Sequence, residues 1–262
     1  MFSKEYLYPL FGGAFMKNTT TEKVSLKVAD GTDMNAYVAR PSDDGKYPGV
    51  LVFQEAFGVN AHIRDVTERF AREGYVSIAP ELYHRTTPGF EGKYGDFQSV
   101  VPHMKAMTEK GTIEDIRAAY DWLKSNSHVT ADKIASIGFC LGGRVSFLAC
   151  ATVPLQASIS FYGGNIAPAL LPKIADLYAP VLFFWGGLDK HIGAEQIRAI
   201  VDECKRLGKT YVNVEFSNAD HGFFCDVRPA HNPEAATLAW NLSTTYLLLH
   251  LSRTGERTRL RE

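Results

Sequence analysis

The chain has 262 residues, and 28 Lys and Arg against 29 Asp and Glu leave a formal charge of −1. A surface so nearly neutral offers no field to concentrate polyanions, which argues against nucleic acid as a partner. The balance of 45% hydrophobic and 22% charged residues is that of a globular chain with a core, and no run approaches the ~18 apolar residues of a membrane-spanning helix, so integral membrane function is excluded.

The opening MFSKEYLYPLFGGAF is aromatic and apolar, but Glu5, Pro9, Gly12 and Gly13 interrupt it and no A-x-A cleavage pattern follows. Residues 1–20 are therefore read as a leader or extension, with Met16 an alternative start; secretion through this segment stays open. From Thr21, VSLKV and MNAYVA alternate around Asp30-Gly31-Thr32-Asp33, which predicts an antiparallel hairpin at a sheet edge. Gly49 to Phe53 is apolar without alternation, as in a parallel strand covered on both faces. There follow a helix over Ile63 to Glu73, a strand over Tyr75 to Ala79, and a helix over Ile113 to Ser125 capped by Thr112. Next come a strand over Lys133 to Gly138 and a helix over Leu141 to Ala151. The second half continues with strands over Ala157 to Phe161 and Val181 to Trp185, a helix over Ala194 to Gly208, a strand over Tyr211 to Phe216 and a helix over Pro233 to Leu251.

Strands and helices taking turns predict an α/β class: one doubly wound, mostly parallel sheet over residues 21–252, with the hairpin at its edge. Arg85 to Thr112 is a long excursion of the kind that caps a site. Residues 253–262 form a basic, solvated tail. The cysteines at 140, 150, 204 and 225 match neither C-x-x-C nor a zinc spacing, so they are individual thiols, and a chain of this length needs no disulfide framework. That favours a reducing cytoplasm.

Gly138-Phe139-Cys140-Leu141-Gly142 places G-x-C-x-G where a buried strand meets a helix, the pattern of a nucleophile elbow with sulfur as nucleophile. A buried cysteine in a Gly-rich turn, or a phosphate-cradling loop, is the alternative for the pentapeptide alone. An elbow nucleophile of this kind takes an acid after a later strand and a histidine after the last one. Gly186-Gly187-Leu188-Asp189 follows one predicted strand and Asp220-His221-Gly222 follows the last, so Asp189 is the candidate acid and His221 the candidate base. The other seven histidines, His84, His103, His191, His231 and His250 among them, have no such address and are read as surface residues. Zinc held by His221, Cys225 and His231 is conceivable, but it would consume the base.

The motifs GFCLGG, GGLD and DHGF, in that order, and Gln54-Glu55-Ala56-Phe57-Gly58-Val59-Asn60 resemble the dienelactone hydrolase family, cysteine-dependent α/β-hydrolases that open lactones and hydrolyse small esters. The resemblance runs over roughly residues 20 to 250. It implies that Glu55 holds the resting thiol and takes its proton when substrate arrives, and that Arg85, in Pro80-Glu81-Leu82-Tyr83-His84-Arg85, contacts a substrate carboxylate. One departure stands out: where the family has a second arginine, four residues after the histidine, this chain has Cys225. That puts dienelactone itself in doubt as substrate and leaves Arg228 and Arg144 as substitutes.

The expected reaction is acyl transfer to Cys140 and hydrolysis of the thioester, with the backbone amides of Leu141 and Ala56 as oxyanion donors. It calls for no cofactor and no metal, and its partner is a small lactone or ester; the protein acts as a monomer or homodimer. A thioesterase or other acyl hydrolase on the same scaffold, and a redox-sensing protein that uses Cys140 without catalysis, are the alternatives.

Overall fold

The computed structural model describes residues 17–252, so the readings of residues 1–16 and of the basic tail lie outside the described residues. Eight strands form one sheet: β1 (Thr19–Lys27), β2 (Asp33–Pro41), β3 (Tyr47–Phe53), β4 (Val76–Pro80), β5 (Val129–Phe139), β6 (Ala157–Phe161), β7 (Val181–Gly186) and β8 (Tyr211–Phe216). Their order is β1-β2-β4-β3-β5-β6-β7-β8. The β1–β2 and β2–β4 pairs are antiparallel and every other pair is parallel, so the edge hairpin and the parallel body both stand where the hydropathy pattern put them. Strands β4, β6 and β7 are buried along their whole length, and in β7 this shows as an unbroken apolar run, whereas β8 at the edge is not.

Six helices cover the sheet: α1 (Ala61–Arg72), α2 (Val101–Ala106), α3 (Glu109–Ser125), α4 (Leu141–Cys150), α5 (Ala194–Arg206) and α6 (Pro233–Leu251). Helix α1 meets α6 through Phe70 and Trp240, with ring centroids 4.8 Å apart, while α3 packs against α4. Helix α3 begins four residues earlier than its expected start. Its cap is Thr108, whose hydroxyl accepts from the Gly111 amide at 3.0 Å, and Thr112 lies inside the helix, donating to the Thr108 carbonyl. Either threonine has the chemistry of a cap, and only the chain's path decides between them.

The excursion after Arg85 contains a 3-10 turn at Phe97–Ser99 and helix α2. No helix among the described residues is long and apolar enough to cross a membrane. Phe161 at the end of β6 packs against Phe139, Phe184 and Phe224 at centroid distances of 4.8, 4.4 and 5.0 Å, an aromatic layer directly beneath the carboxyl ends of the parallel strands. Each such ring contributes about 1.5–3 kcal/mol of burial and makes a stiff floor for whatever stands above it.

Candidate active site

Four sequence segments meet above that floor, each leaving the carboxyl end of a parallel strand, the place where open α/β sheets gather polar groups. Cys140 directly follows β5. It has φ 55° and ψ −114° and forms the N-cap of α4, so the chain reverses from strand to helix within one residue. The reversal is possible only between glycines. A Cβ on Gly138 would fall onto the Gly142 carbonyl, and one on Gly142 onto the Phe53 carbonyl. The bend is anchored by the Cys140 amide, which donates to the Phe161 carbonyl at 3.0 Å. Cys140 is partly exposed, whereas Cys150, Cys204 and Cys225 are buried, and all four are free thiols.

Asp189 and His221 come from the loops after β7 and β8. These loops are tied together by the Gly187 amide on the Phe216 carbonyl (2.8 Å) and the Leu188 amide on the Ala219 carbonyl (2.9 Å). The result is a 2.7 Å contact between His221 Nδ1 and Asp189 Oδ2, with the second carboxylate oxygen accepting the His191 amide, also at 2.7 Å. With Nδ1 so occupied, Nε2 is the nitrogen left for Cys140. Burial opposes the charge on His221, yet Asp189 and the neighbouring Cys140 raise its pKa to about 10. Burial likewise pushes the Asp189 pKa up, but the bond from His221 outweighs it and holds the carboxyl below its ordinary value. Sulfur, imidazole and carboxylate thus form one polar chain whose charges support one another.

Glu55 lies two residues past β3 and is fully buried. Its Oε1 accepts from Arg228 Nη1 at 3.1 Å and its Oε2 from the Tyr94 hydroxyl at 2.8 Å. No hydrogen bond joins it to the Cys140 thiol among the described residues, so the hold that the resemblance implies for the resting thiol is not made here. Arg228 stands close to the histidine loop, because Gly222 has φ 84° and a Cβ there would run into the guanidinium.

A cavity of about 900 Å³ opens over these groups. Ala56, Cys140, Leu141, Arg144, His191, His221 and Arg228 line one part of it; Phe57, Phe97, Met104, Met107, Val145 and Leu148 give it a largely apolar wall. The excursion between residues 85 and 112 supplies much of that wall. Arg85 itself is elsewhere. Its Nε donates to Asp30 at 2.6 Å, its two terminal nitrogens donate to Asp115 at 2.9 Å each, and it borders a separate pocket of about 30 Å³. The structure therefore brings Cys140, Asp189, His221, Glu55, Leu141 and Ala56 together and leaves Arg85 apart.

Two of the histidines read as surface residues are buried. His84 bonds Thr32 and the Glu81 carbonyl, and His62 sits in the first turn of α1. Among them, His62 was detectable in the sequence: it shares the 3.6-residue stripe of Ile63, Val66 and Phe70. His231, by contrast, contacts the Phe223 carbonyl at 3.1 Å, and among the described residues His221, Cys225 and His231 do not form a cluster close enough to share a metal. Tyr94 and Tyr162 escaped the sequence reading. Tyr162, fully buried with its ring centroid 5.0 Å from that of His221, follows β6 directly, the same address that singled out Cys140.

A profile of the dienelactone hydrolase family matches residues 34–251. A Synechocystis protein provisionally named a carboxymethylenebutenolidase is 36% identical over 215 residues, covering 78% of this chain and 87% of its own. A Bradyrhizobium protein provisionally named a 2-oxo-3-(5-oxofuran-2-ylidene)propanoate lactonase is 29% identical over 250 residues, 91% of this chain and 99% of its own. Among solved structures, a Klebsiella pneumoniae protein provisionally described as a dienelactone hydrolase superposes with a TM-score of 0.81 at 30% identity, covering 91% of this chain and 100% of that one. The sheet order and its antiparallel edge are thus those of an α/β-hydrolase.

Proposed function

Since the chain belongs to the dienelactone hydrolase family, we propose that it hydrolyses small lactones or esters through a thioester on Cys140 and prefers substrates that carry a carboxylate. The observation that carries this reading is the 2.7 Å His221–Asp189 contact beside a cysteine held at a positive-φ elbow on the wall of the cavity. His221 Nε2 takes the thiol proton. The sulfur then adds to the substrate carbonyl, the carbon–oxygen bond to the leaving group breaks, and the imidazolium returns its proton to the departing oxygen. Water, deprotonated by His221, next cleaves the thioester and restores the thiol.

Complete ionisation of a thiol of ordinary pKa ~8.5 raises the thiolate about thirtyfold at neutral pH, worth roughly 2 kcal/mol. A single amide aimed at the tetrahedral oxyanion contributes about 2.7–4 kcal/mol. Preorganised donors therefore do more than thiol activation. Leu141, in the first turn of α4, and Ala56, in the loop after β3, are the donors that fit, since both line the cavity next to Cys140. Glu55 enters the cycle once Arg228 is drawn away by a substrate anion, which frees a carboxylate oxygen toward the thiol.

The names of the two relatives describe unsaturated lactones, and that of the Bradyrhizobium protein a lactone bearing a carboxylate. Here the anion would meet Arg228 and Arg144, the two arginines of the cavity. The same cavity has room for an apolar group well beyond a butenolide ring, which supports a second reading as an esterase or thioesterase for bulkier acyl groups. A free thiol nucleophile suits a reducing compartment such as the cytoplasm, and a monomer or homodimer suffices, because all of these groups come from one chain.

Rapid-quench intact-mass analysis during turnover of a carboxylate-bearing aryl ester tests the proposal. The expected result is an acyl adduct on Cys140, lost together with turnover in a folded Cys140→Ala chain. Undiminished turnover in that variant overturns it.

A further inference from the structure

A second cluster of reactive side chains lies against Glu55. His62, from the first turn of α1, and Cys225, from the loop before α6, each bring one donor atom to the Glu55 carboxylate, and the three donor atoms all lie within 4.8 Å of one another. Glu55 and Cys225 have no exposed surface, and the His62 side chain retains 1%. Neither ring nitrogen of His62 makes a hydrogen bond of good geometry; the Asp226 carboxylate comes no nearer than 3.8 Å to Nδ1. The Tyr162 hydroxyl is also buried without a partner. Buried polar groups are ordinarily satisfied, so an imidazole left without a hydrogen bond beside a thiol and a carboxylate points to a missing ligand.

We propose that Glu55, His62 and Cys225 bind a thiophilic divalent transition metal, with Zn²⁺ the best match. Thiolate, imidazole and carboxylate are the donors zinc takes, and the sulfur disfavours magnesium and calcium, which want oxygen alone. Tetrahedral zinc with bonds of about 2.0–2.3 Å sets its ligands roughly 3.3–3.8 Å apart, so a shift of about an ångström closes the set. The cation displaces the proton of the Cys225 thiol, takes a lone pair of the neutral His62 ring and one of the Glu55 carboxylate, and so meets two negative charges. Arg228 shares only Oε1 of Glu55 and its side chain is partly exposed, so it can give way. The binding itself is independent of the hydrolase reading. Only its consequence rests on that reading: a metal on Glu55 withholds the carboxylate from the thiol and slows turnover.

The test uses the full chain carrying Cys140→Ala, which removes the one partly exposed thiol. Titrated with Co²⁺ alone, it should take up one equivalent with a thiolate-to-cobalt charge-transfer band, and Zn²⁺ should displace the cobalt. Adding Cys225→Ser, or separately His62→Gln, should abolish the band and weaken uptake at least tenfold in chains whose circular dichroism matches the parent. Absence of stoichiometric uptake by the Cys140→Ala chain overturns the proposal, and so does uptake that survives both further substitutions. A charge-transfer band that persists in either the Cys225→Ser or the His62→Gln chain overturns the proposed ligand set as well.

Discussion

Two arginines illustrate how far a residue's neighbours decide its work. Arg85 has the motif address of an anion contact, yet its donors are spent on Asp30 and Asp115, and Asp115 is almost wholly buried. Removing the guanidinium strands that carboxylate, so Arg85→Ala should lower unfolding free energy on the order of 3 kcal/mol in urea titration. The ratio of kcat/KM for a carboxylate-bearing ester to that for its methyl ester should stay unchanged. Arg228→Ala should do the reverse, collapsing that ratio about tenfold or more, as loss of a charge-assisted contact implies. A ratio that falls with Arg85→Ala and survives Arg228→Ala would return the anion site to Arg85. Cys140, Asp189 and His221 were legible because each follows a predicted strand and lies within two residues of a glycine. Tyr94 and Arg228 were less so, because an ordinary loop tyrosine or arginine looks the same until its partner is known.

At the scale of elements, the strand-to-helix bend after β5 depends on space rather than on propensity. Gly142→Ala should cost more than roughly 3 kcal/mol or yield no soluble protein, since the new methyl group meets backbone that has no rotamer to give. Helix α3 gives a gentler test. Thr108→Ala should lower stability by about 1 kcal/mol by removing the cap on Gly111. Chemical denaturation of that variant beside Thr112→Ala, which removes only an internal hydroxyl contact, distinguishes cap from interior. Most strand and helix spans could be read from periodicity alone, and α6 and β6 coincide with their expected limits. The segment between residues 85 and 112 could not, because its short helix has no apolar stripe of its own; none of the residues in α2 is buried. That helix is held by what surrounds it.

For the molecule as a whole, the cavity is the property that no segment owns: its lining comes from the loop after β3, the excursion before α3, the elbow helix and the histidine loop. Its breadth should set acyl size. Val145→Phe, pointing a ring from α4 into that space, should lower kcat/KM for bulky aromatic esters about tenfold and leave acetate esters within about threefold. Equal losses on both would show that the far wall does not touch substrate. The sequence by itself determined the class of fold, the order of its elements and the candidate residues for elbow, acid and base, because local periodicity and strand-end glycines are short-range signals carried by the chain. Only the tertiary structure decided which arginines line the cavity, that Glu55 is held by Arg228 and Tyr94, and that Glu55, His62 and Cys225 converge. Those outcomes depend on contacts between residues up to 173 positions apart, where burial and pairing, not neighbouring sequence, fix each side chain's partner.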